Sequence, residues 1–104
     1  MKIILSIAAL VLGPTAVWAA DAPAKTYVGH ELAGRAHVKL AQAQAIALRA
    51  RPGQITDREL EKEAGGSGLR WSFDIKASGK TYEVGVDAAD GKVLENVAEG
   101  AHPD

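Results

Sequence analysis

The segment from Val86 to Leu94 reads VDAADGKVL, and its two aspartates beside a glycine have the composition of a metal-binding loop. A calcium loop of the EF-hand type requires acidic ligands at positions one, three and five, glycine at six and glutamate at twelve. With Gly91 at position six only Asp90 fits, because positions one, three and twelve hold apolar residues. A non-standard site on Asp87 and Asp90 stays open, but it offers fewer oxygens than a hard cation requires. We therefore interpret the segment as a turn between strands, in which Asp87 accepts backbone hydrogen bonds and Gly91 is left-handed.

The tripeptide GKT within Ser78-Gly79-Lys80-Thr81 is also found in nucleotide-binding loops. Such a loop requires another glycine five residues before the glycine of its GK pair, and a helix after it. The first of these positions is Asp74, and the residues that follow Thr81 have the pattern of a strand. The segment is therefore predicted to be a hairpin turn.

The histidines of the chain are His30, His37 and His102. A transition-metal site usually needs three or four converging ligands. The chain has 0 cysteines, and Glu31 is the only carboxylate near the first two histidines. We therefore interpret them as solvated surface residues and predict no metal-binding residue.

No residue has the sequence context of a catalytic group. Ser72 lies on the polar side of a predicted strand, and Ser67 and Ser78 lie in predicted turns, so a triad would need a histidine from one of the terminal parts. Paired carboxylates for acid–base catalysis need one member in an apolar pocket, whereas the charged run from Asp57 to Glu63 is typical of a solvated face. The sequence predicts no enzyme, no catalytic residue and no cofactor.

The elements that position these residues begin with a helix from about Ala41 to Arg51, rich in strong helix formers. Its small apolar residues recur at spacings of three and four, so they share one smooth face that can lie close on a sheet: Ala43, Ile46, Ala47 and Ala50. Pro52-Gly53 ends the helix. Its start lacks a Ser, Thr, Asp or Asn cap.

Beyond Gly53 the apolar residues recur with a period of two, which predicts half-buried strands. The strands are expected at Leu69–Ile75, Tyr82–Val86 and Val93–Val97. Trp71 is in phase with the apolar residues of its strand and is therefore predicted to lie in the core.

The segment from Gln54 to Glu63 has two open interpretations. Ile55 and Leu60 have opposite parity, so a strand here requires a bulge, while a helix is favoured by a capping box that starts at Thr56. The predicted fold class is α+β: one main helix packed on a three- to four-stranded antiparallel sheet, whose second face is polar.

The 104 residues suffice for one domain, but the first part of the chain is predicted to be removed. Lys2 and the apolar run Ile3–Leu12 are typical of a signal peptide at residues 1–19, with cleavage after Ala19 in preference to Ala20. A membrane anchor is the open alternative. Cleavage would leave 85 residues outside the cytoplasm, and because the chain has 0 cysteines, their stability must come from an apolar core and a sheet.

Residues 20–37 are predicted to be an N-terminal lead-in, in which Tyr27, Val28 and Leu32 cover one end of the core as a short helix or an ordered loop. Residues 38–97 form the predicted domain, and residues 98–104 a flexible tail. The formal net charge of −1 gives no electrostatic footprint for nucleic acid or an anionic membrane.

The order and spacing of several short motifs resemble the PepSY domain over about Val38 to Leu94. These motifs are Ala43, Ile46 and Ala47 on the helix, Pro52-Gly53, Leu60-Glu61, Tyr82-Glu83-Val84, Val86-Asp87, Gly91 and Lys92-Val93-Leu94. The family occurs in the propeptides of thermolysin-type metallopeptidases and as small stand-alone secreted or periplasmic bacterial proteins. The resemblance implies one helix on an antiparallel sheet and carries over no catalytic residue.

The resemblance further implies a non-enzymatic, periplasmic or secreted binding module with a protein partner, which inhibits or regulates a protease. The partner would meet an exposed sheet edge or the polar face of the sheet. The alternative is a ligand- or metal-sensing accessory domain of an envelope signalling system, with a sensor protein as its partner. Neither function involves nucleic acid, or membrane insertion after the signal is cleaved.

Overall fold

The computed structural model describes residues 27–101. The predicted signal peptide, the first residues of the lead-in and the last three residues of the chain, including His102, lie outside the described residues. One α-helix, α1 (Leu40–Ala50), is followed by four strands: β1 (Gln54–Lys62), β2 (Leu69–Ala77), β3 (Lys80–Asp87) and β4 (Val93–Ala98). The strands pair in the order β1-β2-β3-β4, each antiparallel to its neighbour. Helix α1 packs on this sheet, which confirms the predicted α+β arrangement.

Helix α1 begins and ends one residue closer to the N-terminus than predicted. A glutamine side chain takes the place of the missing Ser, Thr, Asp or Asn cap. The backbone N–H of Lys39 donates to Oε1 of Gln42 at 2.9 Å, which is the half of a capping box that needs no Ser or Thr. At the other end Arg51 is already extended, because the following Pro52 disfavours a helical conformation there. Ala43 and Ala47 are fully buried, so the small face of the helix contacts the sheet.

Strand β1 contains the bulge that its sequence required. The pairing register with β2 shifts between Ile55 and Asp57, so Thr56 is an extra residue. Ile55 and Leu60 then reach the same face, opposite Ile75 and Trp71. The strand interpretation of this segment is confirmed, and the helix alternative is wrong.

The hairpin between β2 and β3 has a two-residue turn. Ser78 and Gly79 have φ angles of 53° and 79°, and Ala77 pairs with Lys80 on either side. Two successive left-handed residues are typical of a type I′ turn, which matches the twist of the flanking strands. The predicted hairpin turn is confirmed, and Lys80 and Thr81 begin a strand as expected.

The core lies between α1 and one face of the sheet. Its largest fully buried side chains are Trp71, Phe73, Leu60, Ile75, Val84 and Val86. Trp71 is 1 % exposed, and its indole Nε1 donates to the carbonyl of Val38 at 2.7 Å, so the polar atom of this core residue is satisfied. The predicted core position of Trp71 is confirmed.

The residues before α1 cover one end of this core with a short helix. Tyr27 is buried, and its ring centroid lies 5.4 Å from that of Trp71. His30–Arg35 form a 3-10 helix, and Leu32 packs against the core. The expectation for Val28 is wrong: its side chain is 69 % exposed, because this residue forms a backbone bridge to the edge of β1 instead.

After β4, Glu99–Ala101 form a further 3-10 helix. Within residues 27–101, no helix has the length and apolar character needed to cross a bilayer.

Candidate binding surface

The face of the sheet opposite α1 carries a concentration of carboxylates. Residues that pair across antiparallel strands share a face, and Asp57, Asp74 and Glu83 follow one another across β1, β2 and β3 in this way. Glu99 joins them from the segment that follows β4. We call the whole set the acidic face: Asp57, Glu59, Glu61, Asp74, Glu83, Glu95 and Glu99.

The acidic face holds more than half of the chain's 13 aspartates and glutamates, so the net charge of −1 hides a one-sided distribution. Six of its carboxylates, together with Ser72, line an open depression of about 190 Å³. Arg70 and Lys76 are the basic residues that β2 places on the same face. The surface therefore has a strong negative potential over its centre.

These carboxylates are close enough to affect one another's ionisation. Burial and then repulsion by Glu99, which also forms a hydrogen bond, raise the pKa of Asp74 above its ordinary value. Burial raises the pKa of Glu83 as well, followed by repulsion from Glu95 and other carboxylates of the face. In both groups the repulsion between carboxylates adds to the effect of burial, and a bound cationic group would reduce that repulsion.

Arg70 neutralises one corner of the face. Its side chain is 9 % exposed, and its Nη1 lies 3.3 Å from Oε1 of Glu95 and 3.6 Å from Oε2 of Glu63. Nη2 donates to the carbonyl of Ala64 at 3.2 Å. The buried Nε has no hydrogen-bond partner among residues 27–101. The guanidinium thus joins the end of β1 to β4 across the sheet.

The two aspartates of the VDAADGKVL segment accept hydrogen bonds from within the protein, Asp87 through both carboxylate oxygens and Asp90 through one. Oδ1 of Asp87 accepts the hydroxyl of Ser67 at 2.7 Å and the backbone N–H of Ala89 at 2.8 Å, and Oδ2 accepts the backbone N–H of Ser67 at 2.7 Å. Oδ1 of Asp90 accepts the N–H of Lys92 at 2.9 Å. Gly91 has a φ angle of 81°, so the predicted turn is confirmed.

Asp87 is 3 % exposed, and its hydrogen bonds outweigh its burial. Burial by itself raises the pKa of this carboxyl, but the bonds from Ser67, Ala89 and Asp90 lower it, and the net shift is downward. Sequence reasoning missed the role of Ser67, which lies in the flexible-looking glycine-rich loop between β1 and β2. Asp87 therefore fixes that loop against the end of β3.

The other sequence candidates lie apart from one another. Ser72 is 8 % exposed beneath the acidic face, where its hydroxyl donates to Oε2 of Glu61 at 2.7 Å. Ser78 lies in the turn at one end of the sheet, and His30 and His37 are exposed beyond the N-terminal end of α1. Within the described range 27–101, no group of three or more potential ligands is arranged to hold a metal ion.

The two edges of the sheet differ. On the outer edge of β1 the N–H of Leu60 donates to the carbonyl of Val28 at 2.9 Å, so the N-terminal segment covers part of it. On the opposite edge, β3 is the only strand within residues 27–101 that pairs with β4. Val93 and Val97 of β4 are 40 % and 37 % exposed. Val97 pairs with Glu83 and therefore lies on the acidic face.

The acidic face was predicted only in part from the sequence. The polar second face of the sheet was predicted, but its charge was not, because the acidic residues are separated along the chain and only the strand register brings them together. The usable signal was the alternation of Asp57, Glu59 and Glu61 along β1, which places these three carboxylates on one face.

Comparison with known proteins gives one match. The family model PepSY, described as peptidase propeptide and YPEB domain, matches residues 38–96, from just before α1 into β4. No curated protein and no solved structure matches the chain significantly. The matched region contains every residue of the acidic face except Glu99.

Proposed function

Because the chain belongs to the PepSY family, whose domains are non-catalytic propeptide or regulatory modules, we propose that it is a non-enzymatic binding module that acts on a protein partner outside the cytoplasm. The partner is a peptidase, which the module inhibits or regulates, or an envelope sensor protein. The observation that carries the proposal is the acidic face, a charged sheet surface opposite the helix.

The form of this surface favours binding over catalysis. Its depression is open and lined by carboxylates and one serine, so it has no apolar wall to desolvate a reacting group. Ser72, its only hydroxyl, is more than nine-tenths buried and already bonded to Glu61. A surface of this kind can bind a partner whose charge and shape are complementary to it.

The proposed location is the periplasm or the exterior of the cell, and it rests on the predicted signal peptide together with the usual location of the family. Mass spectrometry of the exported protein tests it: the expected mature chain begins at Ala20. Retention of residues 1–19 would support the membrane-anchor alternative.

The metal-sensing alternative has no support from the contacts of Asp87 and Asp90. Both carboxylate oxygens of Asp87 accept hydrogen bonds from Ser67 or Ala89, and Oδ1 of Asp90 accepts one from Lys92. Thermal melts with added calcium or zinc separate the two functions. A melt that neither metal shifts favours protein binding, whereas an upward shift favours metal sensing.

Crosslinking of the full-length protein in its native cell envelope, followed by purification and mass spectrometry, tests the proposed function. The matched control is Phe73→Asp, which places a charge in the core at a residue with 0 % exposure and is expected to unfold the domain. Enrichment of a peptidase or sensor by the native chain alone supports the proposal. Capture of the same proteins by both chains contradicts it.

A recovered peptidase is then assayed with and without the purified protein. Inhibition that rises with the concentration of the native chain supports the protease-regulating role. An absence of inhibition over a panel of secreted metallopeptidases contradicts that role. The more general proposal of a binding module is then retained without it.

A further inference from the structure

We propose that the acidic face receives an extended protein segment with lysine or arginine at alternate positions, which pairs with the outer edge of β4 as a fifth strand. This inference rests on the proposed binding function and specifies the partner and the docking site. Two independent features carry it: the charge of the face and the accessible edge beside it.

The charge of the face defines the chemistry of its occupant. Asp74, Glu83 and Glu99 lie around the depression, and the described residues supply no basic side chain to its lining. A lysine or arginine from outside would relieve their mutual repulsion. Nucleic acid and anionic membranes carry the same sign of charge as this face and are repelled by it.

The protein already shows how a guanidinium lies on this face. Arg70 crosses the sheet and places Nη1 between Glu63 and Glu95 at 3.6 and 3.3 Å. That contact covers only one corner of the surface. The remaining carboxylates, around Asp74 and Glu83, can receive a second cation with the same kind of contact.

The edge of the sheet defines the conformation of the occupant. Strand β4 presents an edge that no other strand within residues 27–101 covers, and Val93 and Val97 expose apolar surface along it. Edge strands are templates for strand addition, in which backbone hydrogen bonds supply affinity and alternate side chains supply specificity. The edge of β1 is a poorer template, because Val28 already occupies part of it.

The two features coincide in space. Side chains of an added strand point alternately to the two faces of the sheet, so every second one lies over the acidic face beside Glu95 and Val97. Strands are spaced roughly 4.8 Å apart, which puts Glu83 on β3 roughly 10 Å from the added strand. A lysine or arginine side chain spans most of that distance, and so the occupant is expected to alternate basic and small polar or apolar residues.

Isothermal titration of the full-length protein with a blocked octapeptide of alternating lysine and threonine tests the inference. We expect binding that weakens as salt rises, and no binding of the matched peptide of alternating glutamate and threonine. Two further lysine peptides, N-methylated at odd or at even residues, retain the charges but each lose the N–H groups of one edge. One of the two is expected to bind about tenfold more weakly or worse, because several sheet hydrogen bonds are lost.

Glu83→Gln and Glu31→Gln remove the same charge from different places, since Glu31 lies in the N-terminal 3-10 helix away from the acidic face. Only Glu83→Gln is expected to weaken binding of the lysine peptide. Equal binding of both N-methylated peptides, equal effects of the two variants, or no binding of the lysine peptide overturns the inference. The proposed function survives those results if the native chain still captures a partner that Glu83→Gln captures equally well.

Discussion

Arg70 crosses strand β3 directly above Gly85, and an alanine Cβ at position 85 would lie 2.9 Å from Cδ of Arg70. The same Cβ would lie 3.4 Å from Cβ of Glu95. Gly85 therefore provides the space through which Arg70 reaches Glu95. The ion pair at that corner of the acidic face depends on the absence of a side chain on β3, the strand between the one that carries Arg70 and the one that carries Glu95.

The first prediction concerns this crossing. Gly85→Ala should lower the free energy of unfolding by about 1–3 kcal/mol, because the added methyl group forces Arg70 out of a buried position. Urea denaturation followed by circular dichroism measures the change. Gly34→Ala is the matched control, because no atom lies within 4 Å of its Cβ position. Equal stability of the two variants would show that Arg70 has another way across the sheet.

A second prediction follows from the raised pKa values of Asp74 and Glu83, whose ordinary values are 3.8 and 4.5. A carboxyl group with a raised pKa in the folded state binds protons more tightly when folded, so the fold becomes more stable as the pH falls from neutral toward the ordinary values. Thermal melts over this range should therefore show a rise in Tm on mild acidification. The double variant Asp74→Asn, Glu83→Gln should be more stable at neutral pH and should lose most of that rise.

Asp87 determines the pH below which the stability of the fold declines. Its pKa is lowered, so its contribution to stability is complete above the ordinary value of 3.8 and is lost as the pH falls toward the folded-state pKa. Stability is therefore expected to pass through a maximum in the mildly acidic range and then to decline. A profile that falls continuously from neutral pH would contradict the raised pKa values of Asp74 and Glu83.

The third prediction concerns the hydrogen bonds of Asp87. Asp87→Asn replaces one acceptor oxygen by an amide donor and should cost about 1–3 kcal/mol of unfolding free energy, because at least one of the three bonds to Ser67 and Ala89 is lost. Asp90→Asn in the same turn is the control, since Asp90 is exposed and accepts one bond from Lys92. Similar losses for both variants would mean that the buried contacts of Asp87 add nothing.

The sequence predicted those parts of the fold that depend on local pattern. The period-two alternation around Trp71 and Phe73 placed both in the core, and the parity conflict between Ile55 and Leu60 required the bulge that β1 contains. The turn at Asp87 was also predicted from local pattern, because aspartate and glycine favour turns through the hydrogen bonds and backbone conformations of the segment itself. The start of helix α1 was predicted one residue too late, because the helix is capped by a glutamine and not by a Ser, Thr, Asp or Asn that would mark its first residue.

The acidic face and the role of Arg70 depend on contacts that local pattern does not contain. Net charge adds all faces of the molecule together, and a value of −1 therefore concealed the surface on which Asp74 and Glu83 meet. The bulge at Thr56 also decides which face Asp57 joins, and a bulge cannot be placed to the residue from parity alone. The sequence around Gly85 did not predict that the side chain of Arg70 crosses this residue, because the crossing depends on the register of β2, β3 and β4.

The fourth prediction concerns the close approach of α1 to the sheet. Ala43 and Ala47 are 0 % exposed, and they belong to the buried core between the helix and the aromatic face of the sheet. Ala47→Leu should destabilise the fold by about 1–3 kcal/mol, because the larger side chain forces the helix away from Phe73 and Val84 or into strained rotamers. Ala41→Leu makes the same chemical change at an exposed position of the helix and should alter stability by less than about 0.5 kcal/mol. Urea denaturation of the two variants, followed by fluorescence of the buried Trp71, measures the difference. If Ala47→Leu is as stable as Ala41→Leu, the layers have room for a larger residue, and the small face of the helix is not what sets their separation.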